Sequence, residues 1–109
     1  MKQTILGANG IIGIELAKAL TTYTKDIRLV SRNPRKVNST DECLPADLLN
    51  ANETIEAVKG SEIAYLTIGL PYRISIWQGQ WPKIMSNVIH ACMKENCKLV
   101  FFDNVYMYD

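Results

Sequence analysis

The sequence predicts an α/β fold of the doubly wound type: one parallel sheet of five strands in the order 3-2-1-4-5, with helices on both faces. Three observations predict it. Short apolar runs of strand length alternate with stretches of helical spacing in the order β-α-β, β-α-β, α-β, and helices placed between strands imply parallel pairing through right-handed crossovers. A glycine-rich turn, Gly7-Ala8-Asn9-Gly10-Ile11-Ile12-Gly13, joins the first strand to the first helix. The run Glu62 to Ile68 is almost continuously apolar, as a strand buried on both faces of a parallel sheet must be.

The elements follow in order. Thr4 to Leu6 is the first strand and meets Gly7 at once. After Gly13 the spacing turns helical: Ile12, Leu16 and Leu20 recur at i, i+4 and i+8 beside Ala17, with Glu15, Lys18 and Thr22 opposite. Asp26 is a surface turn residue before the second strand, Ile27 to Val30, and a loop begins at Ser31-Arg32-Asn33-Pro34 because proline cannot continue a central strand. A short third strand spans Cys43 to Ala46, and Asn50 to Lys59 is helix with Gly60 as its stop. The fourth strand, Glu62 to Ile68, closes at Gly69 and Pro71. Pro82 opens the next helix, since proline suits a first helical turn, and Ile84, Met85, Val88, Ile89 and Cys92 form its apolar face. Lys98 to Phe102 is the fifth strand, ending at Asp103-Asn104.

With 109 residues, 48% of them hydrophobic and 21% charged, the chain has the composition of an ordinary globular protein, and residues 1–109 are expected to form one domain. A net charge of +1 supplies no field that argues for nucleic acid or an anionic membrane as partner. The apolar runs are far shorter than a bilayer span. Met1 to Gly7 lacks the features of a secretory signal, so a cytoplasmic location is expected. Cys43, Cys92 and Cys97 are an odd set in such a chain and read as free thiols. His90 with Cys92 and Cys97 lacks a fourth ligand, and neighbouring helix positions diverge, so no metal site is expected. Trp77, Trp81 and Tyr72 read as packing residues at a sheet edge or a partner interface rather than as a stacking platform.

The glycine turn carries the chemistry. Gly7 permits a tight turn, Gly10 lets the backbone approach a pyrophosphate, and Gly13 permits close packing of helix on strand, while Asn9, Ile11 and Ile12 complete the loop whose free amides attract phosphates. Its position, after the first strand and opening an amphipathic helix, is the context that a dinucleotide-binding turn requires. An acidic residue at the end of the second strand would meet the ribose 2′-hydroxyl of NAD, whereas arginine suits the 2′-phosphate of NADP. That place holds Ser31 and Arg32, with Arg35 close behind, and a guanidinium offers phosphate a planar fork of donors.

The glycine turn, Ser31-Arg32-Asn33-Pro34, the step Ala46-Asp47-Leu48, the run Gly60-Ser61-Glu62-Ile63-Ala64-Tyr65 into Gly69, and Val105-Tyr106-Met107-Tyr108 together resemble the extended short-chain dehydrogenase/reductase family. The NAD-dependent epimerase/dehydratase and atypical NAD(P)-binding branches are the most similar. The resemblance runs along the whole chain but covers only the N-terminal, cofactor-binding part of the family. It implies a Rossmann-type fold with NADP, or NAD, as cofactor. It implies Gly7, Gly10, Ile11 and Ile12 at the pyrophosphate, Arg32 at the 2′-phosphate, Asp47 and Leu48 beside the adenine, and Ile68 and Gly69 along the ribose. The residues by themselves read Asp47 equally well as a helix N-cap.

Departures from the family pattern bear on catalysis. No tyrosine here is followed by lysine in the spacing Tyr-x-x-x-Lys, and Asp103-Asn104 stand where hydroxyl residues are usual. Asn104, which can orient a substrate carbonyl or simply cap the strand, and Tyr108 are the candidates left in this chain. The resemblance therefore implies the NADP-binding portion of an oxidoreductase or nucleotide-sugar epimerase/dehydratase-like enzyme, with the small-molecule substrate held by the full-length protein. A non-catalytic dinucleotide sensor or interaction module is the alternative, and the same fold can also hold another nucleotide or an S-adenosyl ligand.

Overall fold

The computed structural model describes residues 2–8, 11–67 and 74–101, with the backbone alone for Ile11 and residues 74–81. Among these residues the elements run β1 (Gln3–Leu6), α1 (Ile11–Leu20), β2 (Ile27–Ser31), β3 (Glu42–Pro45), α2 (Ala51–Val58), β4 (Ile63–Leu66), α3 (Ile74–Lys94) and β5 (Lys98–Phe101). The strands form one sheet in the order β3-β2-β1-β4-β5, and every pairing is parallel. Both the order and the parallel pairing are as the sequence predicts.

Side chains of successive strand residues point to opposite faces, and the core divides accordingly. Leu6, Val30, Ala64 and Leu66 face α2 and α3, joining Ala57, Val58, Ile84, Val88 and Ala91 in one buried cluster. Ile5, Ile27 and Leu29 face α1 and pack with Ala8, Ala17 and Leu20 in a second. Thus α1 covers one face while α2 and α3 cover the other. The whole of β1 is buried, because it is the central strand with helices above and below.

The carboxyl ends of the strands are in step. Leu6 pairs with Val30 on one side and with Leu66 on the other, so the carboxyl ends of β1, β2 and β4 lie side by side. At the opposite end an ionic cluster ties the edges: Lys2 Nζ donates to Asp26 Oδ1 at 3.0 Å and to Glu42 Oε1 at 2.7 Å, and Arg28 Nε donates to Glu42 Oε1 at 3.2 Å. Arg28 Nη1 also donates to the carbonyls of Ala57 and Lys59, both at 2.9 Å, which gives partners to two carbonyls left open where α2 ends. Asp26, read from sequence as a plain turn residue, is thus an ion-pair partner.

Two helix starts differ from expectation. Helix α1 begins at Ile11, inside the glycine motif rather than after Gly13, because the close approach that Gly13 allows is made by a residue already in the helix. Helix α3 begins at Ile74, so Pro82 lies in its interior and does not open it. Proline there removes one helical hydrogen bond, but Pro82 is exposed, where water can serve the carbonyl left over. The third strand is shifted by one residue, and Pro45 sits at the end of an edge strand, a position that tolerates its missing N–H.

Candidate functional site

The site is built where β1 ends. Gly7 has φ of 88°, a conformation that favours glycine, and it turns the chain sharply over the sheet. The amides of Gly7 and Ala8 both donate to Val30 O, at 2.9 and 3.1 Å, so the turn is clamped to β2. Thr67 holds the other side: its amide donates to Leu6 O at 2.9 Å, and its hydroxyl lies 3.2 and 3.3 Å from Leu6 O and Gly7 O. These bonds consume the first two amides of the motif. Among the described residues of the motif, the amides open to an anion are therefore those of the first turn of α1, which have no carbonyl within the helix. No acidic residue lies in that turn to compete.

Gly13 brings α1 against the turn. A Cβ placed there would lie 2.9 Å from Ala8 Cα, 2.9 Å from Gly7 O and 3.0 Å from Ala8 O, all backbone atoms. The helix thus sits closer to the turn than any residue with a side chain permits, and its first amides are carried to the end of the sheet. Of the remaining motif residues, Ile12 is half-buried, while Asn9 and Gly10 lie outside the described residues, as do Ile68, Gly69, Asn104 and Tyr108.

The chain leaving β2 forms the second wall. Ser31 ends the strand, its Oγ accepts from the Asn33 amide at 3.2 Å, and its carbonyl accepts from Ala46 N at 2.9 Å. Arg32, Arg35 and Lys36 follow, all exposed and none in an ion pair among the described residues. An open cleft of about 340 Å³ is lined by Ala8 of the turn, Ile14 of α1, and Arg35, Lys36 and Val37. It brings the glycine turn and two cations together. Arg32 is not among its lining residues. Lys36 does line it, and sequence reasoning had passed it over although it directly follows Arg35.

Asp41 holds this wall in place. Its carboxylate is 3% exposed and accepts from the amides of Val37 at 3.2 Å and Asn38 at 2.6 Å, and from Asn38 Nδ2 at 3.2 Å. Asn38 Nδ2 also donates to Ala17 O of α1 at 3.0 Å. The cation-bearing segment is therefore pinned to the helix whose first turn faces the cleft.

Asp47 and Leu48 follow β3. Asp47 Oδ1 accepts from the Leu49 amide at 3.0 Å, and the Asp47 amide donates to Glu53 Oε1 at 3.0 Å. The N-cap of α2 is Asn50, whose Oδ1 accepts from Glu53 N at 3.0 Å. Asp47 is therefore not the cap but the start of the turn before it. Leu48 is buried in the α2–α3 core, and its carbonyl accepts from Asn87 Nδ2 at 2.9 Å and from Thr54 Oγ1 at 3.3 Å.

Elsewhere, His90 is exposed whereas Cys92 and Cys97 are buried, and among the described residues no group of three His, Cys, Asp or Glu side chains is placed to hold a metal ion. Tyr72 and the side chains of Trp77 and Trp81 lie outside the described residues. Among the described residues no helix is long and apolar enough to cross a membrane.

No protein-family model matches the chain, and no curated protein matches it. Solved structures do match. A variant of uronate dehydrogenase from Agrobacterium tumefaciens, complexed with NAD, is 22% identical with a TM-score of 0.77, over 92% of this chain and 39% of that one. A short-chain dehydrogenase/reductase from Veillonella parvula in complex with NADP is 21% identical with a TM-score of 0.69, over 92% and 46%. A GalE-like L-threonine dehydrogenase from Cupriavidus necator, in its holo form, is 22% identical with a TM-score of 0.76, over 94% and 36%. The chain thus spans less than half the length of each of these proteins, and what it shares with them is a Rossmann-type fold.

Proposed function

We propose that this chain binds a nicotinamide adenine dinucleotide, with NADP preferred over NAD, as the cofactor-binding portion of an oxidoreductase or an epimerase/dehydratase-like enzyme. The observation that carries the reading is the cleft in which the clamped glycine turn, the start of α1 and the cations Arg35 and Lys36, in no ion pair among the described residues, meet. The residues fit the cofactor chemically. Gly13 leaves space that a Cβ would fill, the first turn of α1 offers amides without a competing carboxylate, and the segment after β2 offers cations where an NAD site would place an acid. The similarity of fold to proteins solved with NAD and with NADP supports a nicotinamide dinucleotide.

In this reading the first turn of α1 holds the pyrophosphate, and Arg32, Arg35 and Lys36 hold the 2′-phosphate. Ser31 sets the start of the loop that carries them. Asp47 and Leu48 border the adenine, with Ile68 and Gly69 along the ribose. The cofactor, when bound, supplies hydride donation or acceptance, and this chain supplies position and electrostatic complementarity. A small-molecule substrate belongs to the full-length protein. Neither nucleic acid nor a membrane is a partner, and the place of action is the cytoplasm.

The test is titration of NADP and NAD against the wild-type chain and the separate variants Arg32→Asp and Arg35→Asp. Loss of one charge-assisted phosphate contact is worth about 1.5–3 kcal/mol, so NADP binding should weaken roughly tenfold to hundredfold while NAD binding changes far less. If both affinities survive a substitution, that arginine is outside the site. If neither dinucleotide binds the wild-type chain, the reading itself fails.

A further inference from the structure

The end of α3 is a Schellman cap. Asn96 adopts a left-handed φ of 54°, the Cys97 amide donates to Cys92 O at 2.8 Å, and the Asn96 amide donates to Met93 O at 3.4 Å. These are the 6→1 and 5→2 bonds of the motif, which brings the side chains at its two ends into contact. Here both ends are cysteine. Cys92 and Cys97 are 4% and 8% exposed and belong to the same core cluster. The Cys97 thiol donates to Lys98 O at 3.7 Å, and the two sulfurs are near enough for each to act on the other's ionisation. An open cleft of about 380 Å³, lined by both cysteines with Glu62, Met93, Asn96 and Lys98, reaches the pair from solvent.

We propose that Cys92 and Cys97 are an oxidation site: a dithiol that a peroxide or a small disulfide-forming oxidant converts into an intramolecular disulfide across the cap of α3. The cap draws the backbone at the two residues together. Two cysteines can be bridged without moving the chain only when their Cα atoms are near and their Cβ atoms converge, and the bond from the Cys97 amide to Cys92 O ties these two residues directly to each other. Cys43 is no rival within the chain, because it lies on β3 at the far edge of the sheet from β5.

The two thiols have different parts. Burial pushes Cys92 up to about 12, with the neighbouring Cys97 adding to the rise. Burial also raises Cys97, but the neighbouring Cys92 works in the opposite direction. Cys97 is the more exposed of the two and reacts first, as the thiolate. Its sulfur attacks hydrogen peroxide, the O–O bond breaks, and Cys97 becomes a sulfenic acid as hydroxide leaves and takes up the proton that Cys97 had released. The Cys92 sulfur then attacks the sulfenic sulfur, and its proton leaves with the displaced hydroxyl as water. One peroxide and two thiols give one disulfide and two waters, and an external dithiol reverses the change.

The experiment treats the reduced chain with hydrogen peroxide, and separately with diamide, at mildly alkaline pH and follows it by mass spectrometry. The wild-type chain and Cys43→Ser should each lose the mass of two hydrogens, with the linkage mapping to Cys92–Cys97 and reversing with dithiothreitol. In Cys92→Ser, peroxide should leave a sulfenic acid on Cys97 that dimedone traps. In Cys97→Ser, trapping at Cys92 should be slower, since the less exposed thiol meets the oxidant less readily. An unchanged mass in Cys43→Ser, a product dominated by Cys43 linkages between chains, or faster trapping at Cys92 than at Cys97 would each overturn the proposal. The Cys43→Ser arm keeps both proposed residues, so the test survives even if a cap substitution prevents folding.

Discussion

Alanine at position 13 sets two effects of opposite sign against each other. The new methyl would meet Ala8 Cα at 2.9 Å, Gly7 O at 2.9 Å and Ala8 O at 3.0 Å. None of these atoms can rotate away, because all are backbone, so either α1 lifts off the turn or the turn deforms. Overpacking of this sort costs about 1–3 kcal/mol, and three simultaneous backbone contacts place Gly13→Ala near the top of that range. Alanine regains about 1 kcal/mol over glycine inside a helix. The net expectation is a destabilisation of about 2 kcal/mol, which for a domain of this size lowers the melting temperature by roughly 8–16 °C. Thermal unfolding followed by circular dichroism measures it. A melting temperature equal to or above that of the wild-type chain would mean that helix propensity outweighs the contact and would refute the close approach of α1 to the turn. Because the same displacement moves the first turn of α1, the folded variant should also bind NADP more weakly when titrated well below its melting temperature.

Other substitutions probe the supports of the fold and site. Asn50→Ala removes the N-cap of α2 and should cost about 1 kcal/mol, read as a fall in the denaturation midpoint without a change in slope. Asp41→Ala strips the partners from the amides of Val37 and Asn38; hydrogen exchange should accelerate over residues 32–38 before it does so in the sheet, and unchanged protection there would contradict the pinning. Glu42 is held below its ordinary carboxyl pKa of 4.5, first by the hydrogen bond from Lys2 and then by Arg28. A lowered folded-state value means that its stabilising effect is present above about pH 4.5 and is lost as pH falls below that towards the folded value. Glu42→Gln should therefore be less stable than the wild-type chain at neutral pH, with the gap closing in acid and shrinking in high salt, as expected for a half-exposed ion pair.

Much of the architecture was legible in the chain because its signals are local. The apolar run Ile27 to Val30, the buried run around Ile63 to Leu66 and the glycine turn after Leu6 each act over a few residues, and the handedness of crossovers then restricts strand order. The beginnings of α1 and α3 were not legible. Gly10 and Gly13 carry no apolar side chain to extend a helical pattern backwards, and Pro82 carries the same local mark at a first turn as in an exposed helix interior. For the site, sequence determined that a glycine turn precedes a helix and that cations follow the second strand. Which cations share a cleft with that turn was decided by contacts between distant residues: Asn38 reaching Ala17, Asp41 gathering the amides of Val37 and Asn38, and Gly13 admitting α1 against Ala8. Arg32, Arg35 and Lys36 are alike as letters, and only the path of the backbone, bent by a buried carboxylate, brings the last two to the cleft beside the glycine turn.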